Sequence, residues 1–396
     1  MTSEKDFKTF YTKQWNLMYT PGPTMVPPSV LKAMSKQIVN PDLDPDFPAW
    51  FLETAQKTGE VIKTKEEVLL LPGEGMLALD AALNSVVKPD DKVLVLASGI
   101  FGHGFGGMVK DCKAEPIIVA TEGYDEVLSV EMVKEAIDNN PDISTITLIH
   151  CETPSGTLNP LKEIAKVCQK SNAVLIVDAV SSIAGTDVRT DEWGIDINLG
   201  ASQKCISAPP GIAFLSLSEK ALEVINKRET IPTFYSDLSV WTKSWIKERR
   251  LPFTHLISDL FAFREAIDLI LDEGLEQVFK RHTLISNAMI AAIESIGLEL
   301  YPRTKDIASP TVTAFKVPEG VDGNKLLLHL WRKYGVLIAD AWGPVLGGKV
   351  LRLGNMGYGA NTHFAIIALA ALENGLNDLG FKVAPGTAVG TFMKEV

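Results

Sequence analysis

Residues 92–98 (KVLVLAS), 116–120 (PIIVA), 145–150 (TITLIH), 173–178 (AVLIVD) and 212–217 (IAFLSL) are short, unbroken apolar runs rich in Val, Ile and Leu. A strand that is apolar on both faces is covered on both faces, as strands of a parallel sheet are. Between these runs lie segments such as 161–171 (LKEIAKVCQKS), whose apolar positions fall three and four apart. That is the period of a helix with one buried face. Strands alternating with helices predict a doubly wound α/β layer with a mostly parallel sheet.

The chain is 396 residues long, enough for two domains at roughly 100–200 residues each. Two long helical patterns, ISDLFAFREAIDLILDEG and LEQVFKRHTLISNAMIAAIESIG, fill 257–297, and each ends at a glycine, a common helix stop. Beyond them the pattern changes: SPTVTAFKV, a helix around 323–334, GVLIAD, and a last helix near 363–379. The expected organisation is an N-terminal arm (1–20), a large α/β domain (21–255), connecting helices (256–297) and a smaller C-terminal α+β domain (298–396).

The formal net charge of −11 argues against nucleic acid, which needs clustered Lys and Arg. Four cysteines (Cys112, Cys151, Cys168, Cys205) form no CxxC pair, so neither a zinc site nor a disulfide framework is expected. The start, MTSEKDFKTF, is polar and charged, unlike a signal peptide. No stretch of 18 apolar residues occurs, so no membrane span is expected. These features fit a cytoplasmic enzyme acting on small molecules.

The chemistry gathers at strand ends, where open α/β sheets bind ligands. The run 173–178 ends at Asp178, and Ser202-Gln203-Lys204 follows after the strand-like IDINLGA, leading into the turn-rich CISAPPG. A site lysine with an upstream aspartate is the minimal set for pyridoxal chemistry. The lysine forms an imine and shuttles a proton, while the aspartate keeps the pyridine nitrogen protonated. Singly, Asp178 also reads as a helix cap and Lys204 as a surface lysine. Two further segments favour the site. Pro72-Gly73-Glu74-Gly75-Met76 precedes the helix LALDAALNSVV and offers free N–H groups to a polar ligand. Phe101, in SGIFGHG after 92–98, is placed either to stack on a flat ring or to serve as a core aromatic.

In order along the chain, YTPGPTMVP, GEGMLALDAAL, ASGIFGHGF, HCETPSGTLNP, LIVDAVSSIAG, SQKCISAPPG and KVLRLGNMG resemble the class V, fold-type I aminotransferases. The nearest likeness is to the pyridoxamine–pyruvate branch, and the next is to the alanine–glyoxylate and serine–glyoxylate branches. The match spans about 19–375. The resemblance implies that Lys204 is the Schiff-base lysine, that Asp178 pairs with the pyridine nitrogen, and that Phe101 stacks on the ring. It further implies that Thr153 and Ser155 lie near the ring hydroxyl and substrate, and that Arg352 clamps the substrate carboxylate, a task suited to a planar guanidinium. Gln203, Gly75 and Met76 would complete the cofactor pocket. Members build the site at a subunit interface, so a homodimer or homotetramer is expected, with 233–245 (TFYSDLSVWTKSW) facing the neighbour.

One departure matters. Most of the family has hydroxyl residues in the turn before the first large helix, where they hold the cofactor phosphate; here Glu74 stands in that turn. A carboxylate and a phosphate sharing one desolvated cup repel. The pyridoxamine–pyruvate branch also carries glutamate there and uses unphosphorylated pyridoxamine and pyridoxal as substrates. Glu74 can accept a hydrogen bond from the free 5′-hydroxyl. It can equally face solvent or cap the helix. That branch also has an arginine in the loop after YGV, where this chain reads IADAWGPVLGG with Trp342, so the keto acid stays open.

The expected reaction is therefore transfer of an amino group from pyridoxamine to pyruvate, giving pyridoxal and L-alanine, with the B6 ring bound as substrate. The alternative is a pyridoxal 5′-phosphate enzyme of alanine/serine–glyoxylate type. From other classes, a non-catalytic B6-binding protein is disfavoured by the intact Lys204, Asp178 and Arg352 set. An NAD-dependent dehydrogenase is suggested only by Gly102-His103-Gly104-Phe105-Gly106-Gly107 with Glu122 downstream, a weak fingerprint in isolation. The scattered histidines suggest no metal site.

Overall fold

The computed structural model describes residues 17–396. Strand β1 (Leu17–Met18) comes first, then β2 (Leu69–Gly73), β3 (Lys92–Ala97), β4 (Glu115–Ala120) and β5 (Thr145–Ile149). A short hairpin follows, β6 (Cys151–Glu152) and β7 (Thr157–Leu158), before β8 (Val174–Asp178), β9 (Ile197–Ala201) and β10 (Gly211–Leu217). One seven-stranded sheet takes the order β2-β10-β9-β8-β5-β3-β4. Its pairs from β9 through β4 are parallel, while β10 runs antiparallel to both β9 and β2. The five apolar runs are all strands of this sheet. Four of them (β3, β5, β8 and β10) are almost wholly buried, as two-sided cover requires.

The sequence reading missed β2, taking Pro72-Gly73 for a turn. Proline lacks the N–H for a central ladder position, but β2 lies at the sheet edge, where proline is tolerated.

The C-terminal part holds β11 (Val312–Lys316), β12 (Val336–Leu337), β13 (Ala339–Asp340) and β14 (Val350–Gly354). Strands β11, β14 and β13 form an antiparallel sheet, and β12 pairs in parallel with β1. Residues 17–19 are thus part of the small domain rather than of an arm. Leu17 and Tyr19 are buried in its core, and the Tyr19 hydroxyl donates to Asn355 Oδ1 at 3.2 Å. The rest of the expected arm, 1–16, lies outside the described residues. Helix Thr362–Asp378 is followed by another, Thr387–Glu395, whose Ala388 and Phe392 join the same core.

The two connecting helices, Ile257–Glu273 and Leu275–Ser295, end near Gly274 and Gly297, both at positive φ. The first packs into the large core. The second bridges: Val278 sits in the large core, whereas Ile285, Met289 and Ile293 sit in the small one. Among the described residues no helix is long and apolar enough to cross a membrane.

Candidate active site

Lys204 sits just past the carboxyl end of β9. The turn holding it is tied by Ser202, whose hydroxyl donates to Pro209 O at 2.6 Å, and by the Ser207 N–H, which donates to Lys204 O at 2.9 Å. The Lys204 amine donates to Pro21 O at 2.9 Å. The crossing segment presses so close that a Cβ on Gly22 would lie 2.4 Å from Lys204 Cδ, and Gly22 has φ +105°. Only glycine fits there. Burial, and then the positive Arg352, push the Lys204 amine below its usual range, which favours the neutral, nucleophilic form.

Asp178 ends β8, which pairs in parallel with β9, the strand that leads to Lys204. It is buried, and its Oδ1 accepts the Val180 N–H at 2.8 Å. Burial raises its carboxyl to about 6, against the pull of that N–H and of Lys204, with Glu74 pushing the same way as burial. A cation beside Asp178, such as a protonated pyridine nitrogen, would reverse that rise.

Gly75–Val86 is a helix whose cap is Glu74: the Glu74 backbone is extended, and its Oε1 accepts the Met76 N–H at 3.1 Å. A Cβ on Gly75 would approach Val180 Cγ2 to 2.9 Å, so the helix start rests on the loop after Asp178. Glu74 does cap the helix, and it does so from the wall of the pocket.

Phe101 lies in the first turn of helix Ile100–Asp111. A residue that sequence reasoning passed over holds that end. Glu152, fully buried, accepts the N–H groups of Phe101 (3.1 Å) and Gly102. Burial pushes its carboxyl up to about 7. This removes the dinucleotide reading, because a carboxylate already fills the helix N-terminus where a pyrophosphate would rest. The Gly102 fit is about packing, since a Cβ there would lie 2.7 Å from Ala97 Cα, whereas Gly104 and Gly107 face open space.

Arg352, on β14, donates from Nε and Nη2 to Asp340 O and from Nη1 to Thr153 O at 3.3 Å. Burial lowers its guanidinium to about 10. Thr153 also donates its hydroxyl to Ser181 Oγ. Ser155 is placed differently from expectation. Its hydroxyl is buried against Glu152 O (3.3 Å) and Thr157 Oγ1 (2.9 Å), inside the β6–β7 hairpin turn, and it does not line the pocket.

A pocket of about 150 Å³ joins Glu74, Gly75, Met76, Phe101, Thr153, Asp178, Gln203 and Lys204. Gly22, Pro23, Leu79, Cys151, Val180 and Ser181 complete its wall; all six lie within the quoted motifs, but no pocket role was given to any of them from sequence. Gln203 Oε1 is buried there with no hydrogen-bond partner among the described residues, and such an atom calls for a ligand's donor. A flat ring with a basic nitrogen, a carbonyl and polar substituents suits this donor and acceptor set.

The family model Aminotransferase class-V matches residues 17–345. The chain belongs to the class V aminotransferases. It is 35% identical to the pyridoxamine–pyruvate transaminase of Mesorhizobium japonicum over 93% of this chain and 94% of that one. It is 38% identical to an aminotransferase of Methanocaldococcus jannaschii, with 93% and 94% covered. Among solved structures it is similar to the pyridoxamine–pyruvate aminotransferase of Mesorhizobium loti (TM-score 0.91, 33% identity, 96% of each chain). It is equally similar to the ureidoglycine–glyoxylate aminotransferase of Bacillus subtilis (TM-score 0.92, 32% identity, 96% and 97% covered). The fold is that of the fold-type I aminotransferases, and the class V enzymes use pyridoxal phosphate.

Proposed function

We propose that this class V aminotransferase moves an amino group from pyridoxamine to pyruvate, giving pyridoxal and L-alanine, with the unphosphorylated vitamin as reactant. The observation that carries this reading is Glu74, which caps helix Gly75–Val86 from the pocket wall. A helix start is the natural seat of a phosphate, and here a carboxylate takes the N–H and sets a negative charge in its place. A neutral 5′-hydroxyl can donate to that carboxylate, whereas a phosphate dianion is repelled. Without charge-assisted phosphate contacts, each worth roughly 1.5–3 kcal/mol, the ring is free to leave after each half-reaction.

When bound, the B6 ring supplies an electron sink. Lys204, with its lowered pKa, would be the nucleophile toward the pyridoxal carbonyl carbon, whose oxygen leaves as water, and its Nζ would then carry the proton between the substrate α-carbon and that same exocyclic carbon. Asp178 holds the proton on the pyridine nitrogen. Phe101 packs on the ring face, Gln203 Oε1 accepts a hydrogen bond, and Arg352 turns from backbone carbonyls to the carboxylate of pyruvate or alanine. The active form is proposed to be a homodimer or homotetramer with 233–245 against the neighbour, a reading supported by Phe234, which is 75% exposed.

Mass analysis of B6 species bound to and released by the purified protein tests the reading. Pyridoxamine should be consumed and pyridoxal released in step with alanine. Tightly held pyridoxal phosphate would instead make this an aminotransferase of glyoxylate type. Glu74→Ser should weaken use of free pyridoxamine and improve retention of the phosphorylated form; behaviour equal to the parent's would refute the role given to Glu74.

A further inference from the structure

Trp342 combines two unfavourable features that its packing does not explain. Its φ is +69°, a left-handed and strained value for a bulky residue. The residue is 60% exposed. Yet the loop is fixed. Asp340 Oδ2 accepts the Trp342 N–H at 3.1 Å, Asp340 Oδ1 accepts the Gly348 N–H at 2.7 Å, and Gly347 N–H donates to Gly343 O at 3.0 Å. Gly343 is wedged on Ile100, where a Cβ would come within 2.9 Å of Ile100 Cδ1. Strained residues held this firmly gather at ligand sites.

What the loop presents is a flat aromatic face. The indole lies over Phe101, with ring centroids 6.4 Å apart and planes 25° apart, and Phe101 lines the lysine pocket. Asp340 links this face to Arg352, since its carbonyl oxygen holds the guanidinium while its carboxylate holds the Trp342 backbone. Among the described residues lining the pocket, Lys204 is the one cation, while Glu74 and Asp178 are anions and Met76 and Leu79 are apolar.

We infer that Trp342 is a specificity-determining residue: the wall against which the side chain of the amino or keto acid packs once Arg352 holds its carboxylate. The substrates it favours carry one carboxylate and a small apolar side chain. A second carboxylate finds no cation besides Lys204 among the described residues lining the pocket. The inference rests on amino transfer at Lys204, and not on which form of B6 the site takes.

The test uses the full chain, loaded with whichever of pyridoxamine or its phosphate it accepts, reacting with glyoxylate, pyruvate, 2-oxobutyrate and oxaloacetate. Trp342→Gly suits the positive φ and so keeps the loop. It should lower the 2-oxobutyrate-to-glyoxylate ratio of kcat/KM about tenfold, with Trp342→Phe restoring part of it. Equal loss on all four acids would mean a merely structural role and overturn the inference, as would an unchanged ratio or a parent that prefers oxaloacetate. If the parent turns over none of the acids, the aminotransferase reading fails by itself. The ratio of dissociation constants for 2-oxobutyrate and glyoxylate, with the same variants, then decides the role of Trp342.

Discussion

Lys204 and Glu152 show how burial sets the chemistry of single side chains. The Lys204 amine is lowered chiefly by burial, so it is available as a neutral group closer to neutral pH than a surface lysine. Lys204→Ala should abolish turnover and the visible absorbance of a lysine-linked B6 ring while leaving circular dichroism and cooperative unfolding intact; residual turnover near the parent's rate would place the nucleophile elsewhere. Glu152 is raised to about 7. An acid whose folded pKa is raised contributes stability below its ordinary value and loses it as pH climbs through the folded value. Three buried histidines, His150, His255 and His282, are lowered by burial and pull the opposite way, so the informative quantity is a difference. Glu152→Gln keeps an acceptor for the Phe101 and Gly102 N–H groups without the charge. Relative to the parent it should gain stability as pH rises from about 4.5 to 7.5, read from urea denaturation at both values, and a difference flat in pH would show that Glu152 is not strained by ionisation.

The helix Ile100–Asp111 makes the same argument for an element. Its glycines look alike in sequence, but their surroundings differ. Gly102→Ala sets a methyl against the Ala97 backbone and the Glu152 carboxylate and should cost about 1–3 kcal/mol. Gly104→Ala and Gly107→Ala face open space within the same helix and should stabilise it by up to about 1 kcal/mol each through backbone entropy. Denaturant midpoints for the three variants separate packing from a nucleotide fingerprint, which would require all of its glycines. This helix was partly legible in sequence. Strand 92–98 forms as expected, and Phe101, for which ring stacking and core packing were both open, lines the pocket and also packs against the large core. Glu152 was not, because its partners lie about fifty residues away and only the fold brings them together. Ser155 misled for a related reason: the motif places it beside Thr153, but the β6–β7 turn rotates its hydroxyl inward.

Across the molecule, the doubly wound sheet was legible because strands covered on both sides leave continuous apolar runs. Direction was not legible, since an antiparallel β10 reads the same as a parallel one, and the edge strand β2 was hidden by Pro72. The lysine and the aspartate were found from strand ends and the glutamate turn from the helix that follows it, and the structure gathers them in one pocket with Phe101, Thr153 and Gln203. The exposed Phe234 and Tyr235, packed against Phe253, belong to the segment expected to meet a neighbour. Phe234→Ser should shift the assembly toward monomer and lower activity in proportion, as read by sedimentation against protein concentration. A monomeric parent would remove the shared-site proposal.

The chain's passage from the small domain to the large one runs between β14 and the turn that holds Lys204. The Gly354 N–H holds Tyr19 O at 3.0 Å, and the Gly354 backbone lies so close to Thr20 that no side chain fits. Two residues on, Pro21 O receives the Lys204 amine, and Thr24 is fastened to the backbone of Gln203 and Lys204. If Lys204 bonds covalently to a reactant as proposed, its amine loses donors that now serve Pro21 O, and any strain so created would fall on a strap whose other end is knotted into β1 and the small-domain sheet.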